Sequence, residues 1–338
     1  IACMPSKFFK TYKSTLIKLI LIVLFVSIVV EYINKYKRKL FWKLSVIERK
    51  LDHIQSRTME NNFIHTGYEI DNLVNFRERL ENSFFFVGHI YPQSEYVDPI
   101  DTKFRNIEHP LRYLLEIAEK NPHLKIIFGG DNVENPTSGA LKFLLDLESR
   151  FAGFRFVLGN HDRYWDLYDK DTMFKEIYPH RYFFEDENNI RFIHLHTVLK
   201  SGKYGLDEEQ LEFLKESLEP SSLYRYAFIF MHHNLWLGGY GPQVPYPESS
   251  RIITQWKNDI LPIISNGLVK GVFAGDGGDA PGTYNLINGI PHFSTGWSMD
   301  RNDLPPEWLR VDLTKEGVEI FWQKLSGGNL FVKKQLER

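Results

Sequence analysis

Short polar clusters follow apolar runs in this sequence, and their residue types are those that bind metal ions. The clearest is Gly159-Asn160-His161-Asp162, which comes directly after the apolar run 154–158. An amide oxygen can bind a hard cation, an imidazole can bind a metal or transfer a proton, and a carboxylate can orient that imidazole. Taken alone, the cluster is equally well explained as a turn that contains a histidine. Its interpretation therefore depends on the other clusters.

The same arrangement recurs at four more places along the chain. His89 and Tyr91 follow the run 84–88, Asp131 follows 124–128, His232 follows 226–231, and Asp276 follows 268–274. Because the carboxyl ends of neighbouring parallel strands meet at one edge of an α/β sheet, we expect these side chains to converge. Carboxylate, imidazole and amide ligands favour Mn, Fe, Zn or Mg over thiophilic ions. Two such ions can bind a phosphate and generate a hydroxide nucleophile at neutral pH.

Composition allows a large packed core and excludes several classes of protein. The 338 residues are 43% hydrophobic and 15% aromatic, which is enough for about two domains. The formal net charge of −2 gives no overall field that would recruit nucleic acid. Cys3 is the only cysteine of the chain, which excludes an intramolecular disulfide and a thiolate metal cluster.

The elements that must position the polar clusters alternate in type from residue 83 onward. Apolar runs typical of buried strands alternate with helical segments at 111–119, 140–147 and 207–214. A pair of strands is expected at 182–185 and 190–196, and four later strands at 284–287, 291–295, 308–313 and 318–324. Parallel βαβ units followed by antiparallel strands predict an α/β fold with two packed sheets and helices outside.

The N-terminal part of the chain has a different composition. Within residues 15–33, the run 19–30 has Ser27 as its sole polar residue, and about 20 apolar residues span a bilayer. We predict a single transmembrane anchor at 15–33, with a cleavable signal peptide and a buried soluble helix as the alternatives. The residues after Val30 do not form a small-residue cleavage site, which favours the anchor. Basic residues flank both ends, so the side on which the following domain lies stays open.

Residues 34–82 are charged and mostly helix-forming. Apolar residues recur there at near-helical spacing, namely Leu40, Trp42, Leu44, Ile47, Leu51 and Ile54. This pattern predicts a juxtamembrane stalk that can pair with a second copy, and a solvated stalk is equally well supported. The predicted division is a short tail at 1–14, the anchor at 15–33, the stalk at 34–82, a catalytic domain at 83–326 and a tail at 327–338.

Three of the motifs resemble those of a known family. Gly130-Asp131, Gly159-Asn160-His161-Asp162 and His232-His233 have the order and spacing of the calcineurin-like metallophosphoesterases, over residues 83–324. The segments 205–214 and 289–296 resemble the helix before that family's histidine strand and its late β hairpin. The resemblance implies a four-layer αββα sandwich and a two-metal phosphoesterase.

The resemblance also implies a role for each matched residue. Asp131 would bridge two divalent metal ions, and Asn160 and His232 would bind the second of them. His161 would contact the scissile phosphate and protonate the leaving oxygen, while Asp162 would hold the ring of His161.

Two motifs depart from the family pattern. Where the family's first strand ends in Asp-x-His, the preferred alignment places His89 and Tyr91. A shifted alignment would place Gly88 and Ile90 there and leave no ligand. Where the family's last motif is Gly-His-x-His, this chain has Gly275-Asp276-Gly277-Gly278.

The consequences of these departures differ for the two metal ions. Asp276 can replace the first histidine of the last motif, but Gly278 cannot replace the second. The second ion therefore keeps a complete set, which is Asp131, Asn160, His232 and Asp276. The first ion has an altered set of His89, Tyr91 and Asp131. Asp279 and His233 are additional candidates, and His233 is expected to support the site from outside the ligand set.

These features predict a membrane-anchored, metal-dependent phosphohydrolase that cleaves a phosphomonoester or phosphodiester with a metal-activated hydroxide. One alternative is a catalytically impaired relative that binds a phosphorylated ligand or a partner. Another is a membrane-tethered structural protein whose stalk oligomerises. Four aromatic residues on loops near the site either stack on a base or sugar of the substrate or simply pack; they are Trp236, Tyr240, Tyr246 and Trp297.

Overall fold

Two packed β-sheets with helices on both outer faces make up the described part of the protein. A computed structural model describes residues 83–90, 110–239, 249–276, 283–295, 307–314 and 317–324. The predicted anchor 15–33, the stalk 34–82 and the tails 1–14 and 327–338 lie outside these residues, as do Tyr91 and Asp279. None of the helices within the described ranges has the length and apolarity to cross a membrane.

The strands and helices follow the predicted alternation. The strands are β1 (Ser83–Val87), β2 (Lys125–Phe128), β3 (Phe154–Phe156), β4 (Phe183–Glu187), β5 (Ile190–His194), β6 (Tyr226–His233), β7 (Val269–Asp276), β8 (Thr283–Ile287), β9 (Ile290–Ser294), β10 (Glu307–Thr314) and β11 (Gly317–Lys324). The helices are α1 (Pro110–Lys120), α2 (Ser138–Arg150), α3 (Tyr164–Leu167), α4 (Thr172–Ile177), α5 (Glu208–Ser217), α6 (Ser249–Gln255) and α7 (Leu261–Ile264). A 3₁₀ turn lies at Leu235–Leu237, and a π-helical segment at Trp256–Ile260 joins α6 to α7.

Strand order brings the carboxyl ends of the polar-terminated strands to one edge. The first sheet has the order β11-β10-β1-β2-β3, in which β1, β2 and β3 are parallel. The second has the order β4-β5-β6-β7-β9-β8, in which β5, β6, β7 and β9 are parallel. The predicted pair of strands is the hairpin of β4 and β5, turned by Asn188 and Asn189 in the left-handed conformation with φ of 52° and 62°. Asparagine tolerates that conformation better than most residues.

Alternation of side chains along the strands divides the core into three layers. Phe84 and Phe86 of β1 point between the sheets, where they pack with Phe228 and Phe230 of β6. The outward residues of the first sheet pack against α1, α2 and α4. Those of the second pack against α5, α6, α7 and the π-helical segment. The predicted α/β fold with two packed sheets and outer helices is therefore confirmed.

Side-chain caps begin three of the helices where the chain must leave a strand or loop. The side chains of Thr137, Asp171 and Asp207 accept hydrogen bonds from the third backbone N–H of α2, α4 and α5, respectively. Glu208 and Glu209 add negative charge to the first turn of α5, which favours the helix dipole. These caps fix where each helix starts and so where the preceding strand-end loop must turn.

An ion network ties the two sheets together at the edge opposite the polar clusters. Glu185 of β4 lies 2.7 Å from the Lys125 ammonium of β2 and 2.8 Å from the Arg155 guanidinium of β3. Burial alone would raise the pKa of Glu185, but the His194 ring and the Lys125 ammonium outweigh it and hold the pKa well below the ordinary 4.5. The ionised form of Glu185 therefore stabilises the packing of the sheets.

Glu185→Gln is expected to lower the free energy of unfolding at pH 7 by about 2–3 kcal/mol, somewhat below the loss for a fully buried pair. Because the pKa of Glu185 is lower in the folded state than in the unfolded state, its charge stabilises the protein at pH values above the unfolded-state pKa of about 4.5. This stabilisation is lost progressively as the pH falls below that value. The difference from the parent should therefore shrink in urea unfolding at pH 3. Glu187→Gln is the matched control, because Glu187 also bonds Lys125 at 2.8 Å but its side chain is 48% exposed. Equal losses for the two variants would contradict the assignment.

Candidate metal centre

The strand-end side chains converge as predicted for every cluster within the described residues. His89 follows β1, Asp131 follows β2, Asn160 follows β3, and His232, His233 and Asp276 end β6 and β7. Donor atoms of five of them form two groups in which all atoms lie within 4.8 Å of one another: His89 with Asp131 and His232, and His232 with His233 and Asp276. Asn160 Oδ1 lies 3.2 Å from His232 Nε2. We call these six residues the donor cage.

His232 has the geometry of a metal ligand. Its Nδ1 lies 2.8 Å from the Gly129 carbonyl oxygen, and because that oxygen can only accept, Nδ1 carries the hydrogen. Its Nε2 then faces Asp131 Oδ1 at 3.2 Å and Asn160 Oδ1 at 3.2 Å. An outer hydrogen bond that fixes the tautomer of a ligating histidine is usual at metal sites. The Gly129 carbonyl therefore aims the Nε2 atom of His232 into the cage.

His89 and Asp276 meet across the gap between the two sheets. His89 Nε2 lies 3.5 Å from Asp276 Oδ1, and both side chains are buried. The rings of His89 and His232 lie 5.1 Å apart. The structure thus brings the two departures from the family motifs into contact, so that one imidazole and one carboxylate face each other.

Asp131 occupies a backbone conformation that few non-glycine residues adopt. Its φ is 52°, and its Oδ1 accepts a hydrogen bond of 2.8 Å from the backbone N–H of His161. Strained backbone of this kind is concentrated at functional sites. The bond couples the ends of β2 and β3, so the position of Asp131 is fixed by the motif that follows β3.

The role that the resemblance implied for Asp162 requires a correction. Asp162 accepts hydrogen bonds from the backbone N–H groups of Gly159 at 2.7 Å and Asn132 at 3.0 Å, so it orders the two loops. The His161 ring is instead oriented through Nδ1, which lies 3.0 Å from the Glu134 carbonyl oxygen. Asp162 is completely buried and close to two backbone donors, which is why it serves the loop rather than the ring.

Electrostatics in the cage are dominated by buried groups of opposite sign. Burial opposes a charge on His232, but the Asp131 carboxylate outweighs it and raises the pKa of His232 to about 9. Burial and the charge of Asp131 raise the pKa of Asp162 to about 7. For Asp276, burial would raise the pKa, but His89 and His232 outweigh it and lower the value. A positive charge is therefore stabilised where His232 and Asp131 meet.

The donor set fits divalent metal ions. Three buried imidazoles and two buried carboxylates converge with the half-buried amide oxygen of Asn160, and each ligand type suits a borderline or hard cation. The oxygens of Asp131 and Asn160 both lie 3.2 Å from His232 Nε2, an arrangement that is stabilised by a proton or by a metal cation between them. We infer that the cage can hold metal.

Two glycines, one from each sheet, lie in close contact next to the donor cage. Gly129 follows β2 of the first sheet, and Gly275 lies near the end of β7 of the second. A Cβ atom on Gly275 would lie 2.1 Å from the Gly129 carbonyl oxygen, the same oxygen that orients His232. The two sheets can approach at this level because neither position carries a side chain.

Gly275→Ala is therefore expected to destabilise the protein by about 1–3 kcal/mol or more through overpacking. It should also weaken metal binding, because the Gly129 carbonyl must move away from His232. Urea unfolding and metal titration would measure the two effects. Gly271→Ala on the same strand is the comparison variant, since the nearest atom to its added Cβ belongs to the Phe273 ring at 2.8 Å. If Gly271→Ala weakened metal binding as much, the glycine contact would not be the cause.

Sequence patterns missed several features of the site. His233, an additional candidate expected to support the site from outside the ligand set, has its Nε2 3.0 Å from Asn160 Oδ1, a contact that the sequence does not predict. The carbonyl groups that orient His161 and His232 belong to Glu134 and Gly129, and backbone acceptors leave no mark in a sequence. Trp236 is buried and donates to Asn285 Oδ1 at 3.1 Å, so it packs and does not form an open stacking surface. Tyr240, Tyr246 and Trp297 lie outside the described residues.

Comparison with known proteins finds similarity in structure but not in sequence. No protein-family model and no curated protein sequence matches the chain. Among solved structures, GAP50, the anchor in the inner membrane complex of Plasmodium, matches at 14% identity and a TM-score of 0.47, over 75% of this chain and 89% of that one. A dimetal phosphatase from Danio rerio matches at 12% identity and a TM-score of 0.48, over 76% of this chain and all of that one.

A third match is Vps29 from Entamoeba histolytica, solved with Zn²⁺, at 11% identity and a TM-score of 0.33, over 72% of this chain and 93% of that one. All three identities are below 15%. The similarity is at the level of fold, so the function of this chain must be derived from its own donor cage.

Proposed function

We propose that this chain is a metal-dependent phosphohydrolase that cleaves a phosphomonoester or a phosphodiester. The observation that carries the proposal is the donor cage itself. Its buried imidazole and carboxylate donors and the half-buried amide of Asn160 come from five strand ends in two sheets, and they meet within a few ångströms. A buried cluster of this composition is costly to assemble unless a cation compensates it.

Divalent ions in such a cage would bind phosphate oxygens, lower the pKa of water and neutralise the charge that develops during displacement. The chain's own residues would hold and orient them. Asp131, Asn160 and His232 supply donors at the centre, and His89 and Asp276 supply donors from the gap between the sheets. The substitutions at the first and last motifs therefore keep ligating atoms in the cage.

His161 is the proposed proton donor to the substrate. The Glu134 carbonyl oxygen can only accept, so Nδ1 keeps its hydrogen and Nε2 is the atom that gains or loses a proton. The backbone N–H of His161 donates to Asp131 Oδ1, so the histidine lies beside the donor cage. We propose that Nε2 of His161 protonates the leaving oxygen.

Membrane attachment through residues 15–33 and self-association through the stalk 34–82 are part of the proposal. Their support is the apolar run 19–30 and the near-helical spacing of apolar residues after it. An anchor would keep the catalytic domain close to substrates at a membrane surface. Nucleic acid is not among the proposed partners, because the net charge is −2.

The second candidate is a binding module that holds a phosphorylated ligand without cleaving it. The contact between His89 and Asp276 favours this alternative, because an imidazole and a carboxylate that face each other at 3.5 Å can also partly compensate each other without metal. In that case ligand affinity would depend on metal, while turnover would be absent.

The deciding experiment uses the full chain, purified in a mild detergent and freed of metal with a chelator. Hydrolysis of an aryl phosphate monoester and of a diester would be followed with and without added Mn²⁺ or Zn²⁺. Turnover that appears with metal and disappears again with the chelator would support the phosphohydrolase. Metal-dependent binding of a phosphate ester without turnover would support the binding module instead.

A further inference from the structure

His233 occupies a position that strand geometry alone would place away from the cage. Successive residues of a strand point to opposite faces, so His232 and His233 should diverge. His232 does point between the sheets, toward Asp131. His233 points to the outer face of the second sheet, where its ring stacks on Tyr204 with a centroid distance of 3.8 Å.

The end of the sheet nevertheless lets His233 reach the same group of donors. Its Nε2 lies 3.0 Å from Asn160 Oδ1 and 3.9 Å from Asp276 Oδ2. The register of β6 and β7 pairs His233 with Asp276, whose other carboxylate oxygen lies 3.5 Å from His89 on the side of the gap between the sheets. The donors therefore continue around the strand end, from the gap between the sheets to the outer face.

The ring of His233 is held in the way that ligating histidines are held. Its Nδ1 lies 2.7 Å from Thr197 Oγ1, and its backbone N–H donates to the same hydroxyl at 3.2 Å. A hydroxyl can accept from Nδ1–H, and the lone pair of Nε2 then faces Asn160 and Asp276. Such an outer hydrogen bond is the usual partner of a metal-bound imidazole.

The number of lone pairs on each donor atom determines how the cage residues can be shared between two metal ions. A neutral imidazole nitrogen has one lone pair, so His232 Nε2 cannot bind an ion in both of the groups to which it belongs. Its distance of 3.2 Å from Asp131 Oδ1 assigns it to the group with Asp131 and His89. The other group then needs a third donor, and Asn160 Oδ1 is within 3.0 Å of His233 Nε2.

We propose that His233 is a direct metal ligand. Together with Asp276 and Asn160 it holds an outer ion, while His89, Asp131 and His232 hold an inner ion. The inference rests on the metal-dependent function proposed above, and it predicts that Zn²⁺ or Mn²⁺ binds in preference to Mg²⁺, which favours all-oxygen sites.

Metal stoichiometry of the full chain tests the proposal without any measurement of activity. The metal-free protein would be titrated with Zn²⁺ and with Mn²⁺ by calorimetry, and bound metal would be counted by mass spectrometry. The parent should bind about two ions per chain, and His233→Ala should bind about one or bind the second at least ten-fold more weakly. His233→Gln is a second variant that keeps a polar side chain of similar reach and should show the same loss.

Two further variants separate ligation from support. Thr197→Val keeps the imidazole but removes its hydroxyl partner, so affinity for the second ion should fall about 10–100-fold while saturating metal still fills both sites. His292→Ala removes a buried histidine outside the cage and should leave both ions bound. Parental affinity and stoichiometry in a folded His233→Ala would overturn the proposal, as would a parent that binds a single ion. Failure of the proposed hydrolysis would leave these binding results unchanged, so the two failures are distinguishable.

Discussion

Asp131→Asn is expected to lower the rate of hydrolysis at least about 100-fold and to remove bound metal. Hydrolysis and metal binding both depend on the charge of this one carboxylate. Asp131 Oδ1 lies 3.2 Å from His232 Nε2, and it also accepts the backbone N–H of His161. Asparagine keeps an oxygen for that backbone bond and tolerates a φ of 52°. The substitution therefore removes the charge while leaving the loop in place.

Asp131→Ala would be a poorer variant for the same purpose. Alanine disfavours the left-handed conformation and cannot accept the bond from His161, so a loss of activity would mix a strained loop with a missing ligand. Asp166→Asn is the matched control, since Asp166 is an exposed carboxylate on α3 that lies close to His161 in the chain.

Metal content, metal-dependent turnover and thermal unfolding would be measured for Asp131→Asn and for Asp166→Asn. The expected result is a folded Asp131→Asn that lacks metal and turnover, beside a control that keeps both. A folded Asp131→Asn with parental metal content would show that the cage does not depend on this carboxylate. The proposed assignment of the inner ion would then be wrong.

The sequence predicts the two-sheet fold and most of the cage because both depend on local patterns. Apolar runs such as 226–231 are buried strands, and polar residues directly after them, such as Asp131 and His232, must lie at a strand end. Since parallel strands align their carboxyl ends, convergence follows within each sheet. His89 and Asp276 each lie at a strand end as this rule requires, in different sheets, even though their residue types depart from the family motifs.

What the sequence does not predict depends on backbone atoms and on the spacing of the two sheets. Alternation of side chains along β6 predicts that His233 points away from the cage. Its position beside Asp276 depends on the register of β6 with β7, which the sequence does not show. The Glu134 carbonyl that orients His161 is a backbone group, so its role depends on loop conformation and not on residue type. Close packing of Gly129 on Gly275 requires the relative placement of two sheets.

His161→Ala separates proton transfer from metal binding, because only the side chain is lost. The backbone N–H that bonds Asp131 is retained, so the ligand position should not change. Loss of a general acid typically lowers turnover by about 10²–10⁴-fold. We therefore expect turnover to fall within that range while metal content and the unfolding transition stay at parental values.

The dependence on the leaving group shows whether Nε2 of His161 delivers the proton. A nitrophenyl ester releases a stable anion and needs little help, whereas an alkyl phosphate releases a strongly basic oxygen that must be protonated. His161→Ala should therefore impair alkyl phosphate hydrolysis much more than nitrophenyl phosphate hydrolysis. Glu134→Gln should have little effect on either substrate, since His161 contacts only the backbone carbonyl of Glu134. Equal losses for both substrates would assign His161 to binding the phosphate group. A parallel loss of metal would make it a ligand, and either result would leave the proton donor to be found among the remaining residues around the cage.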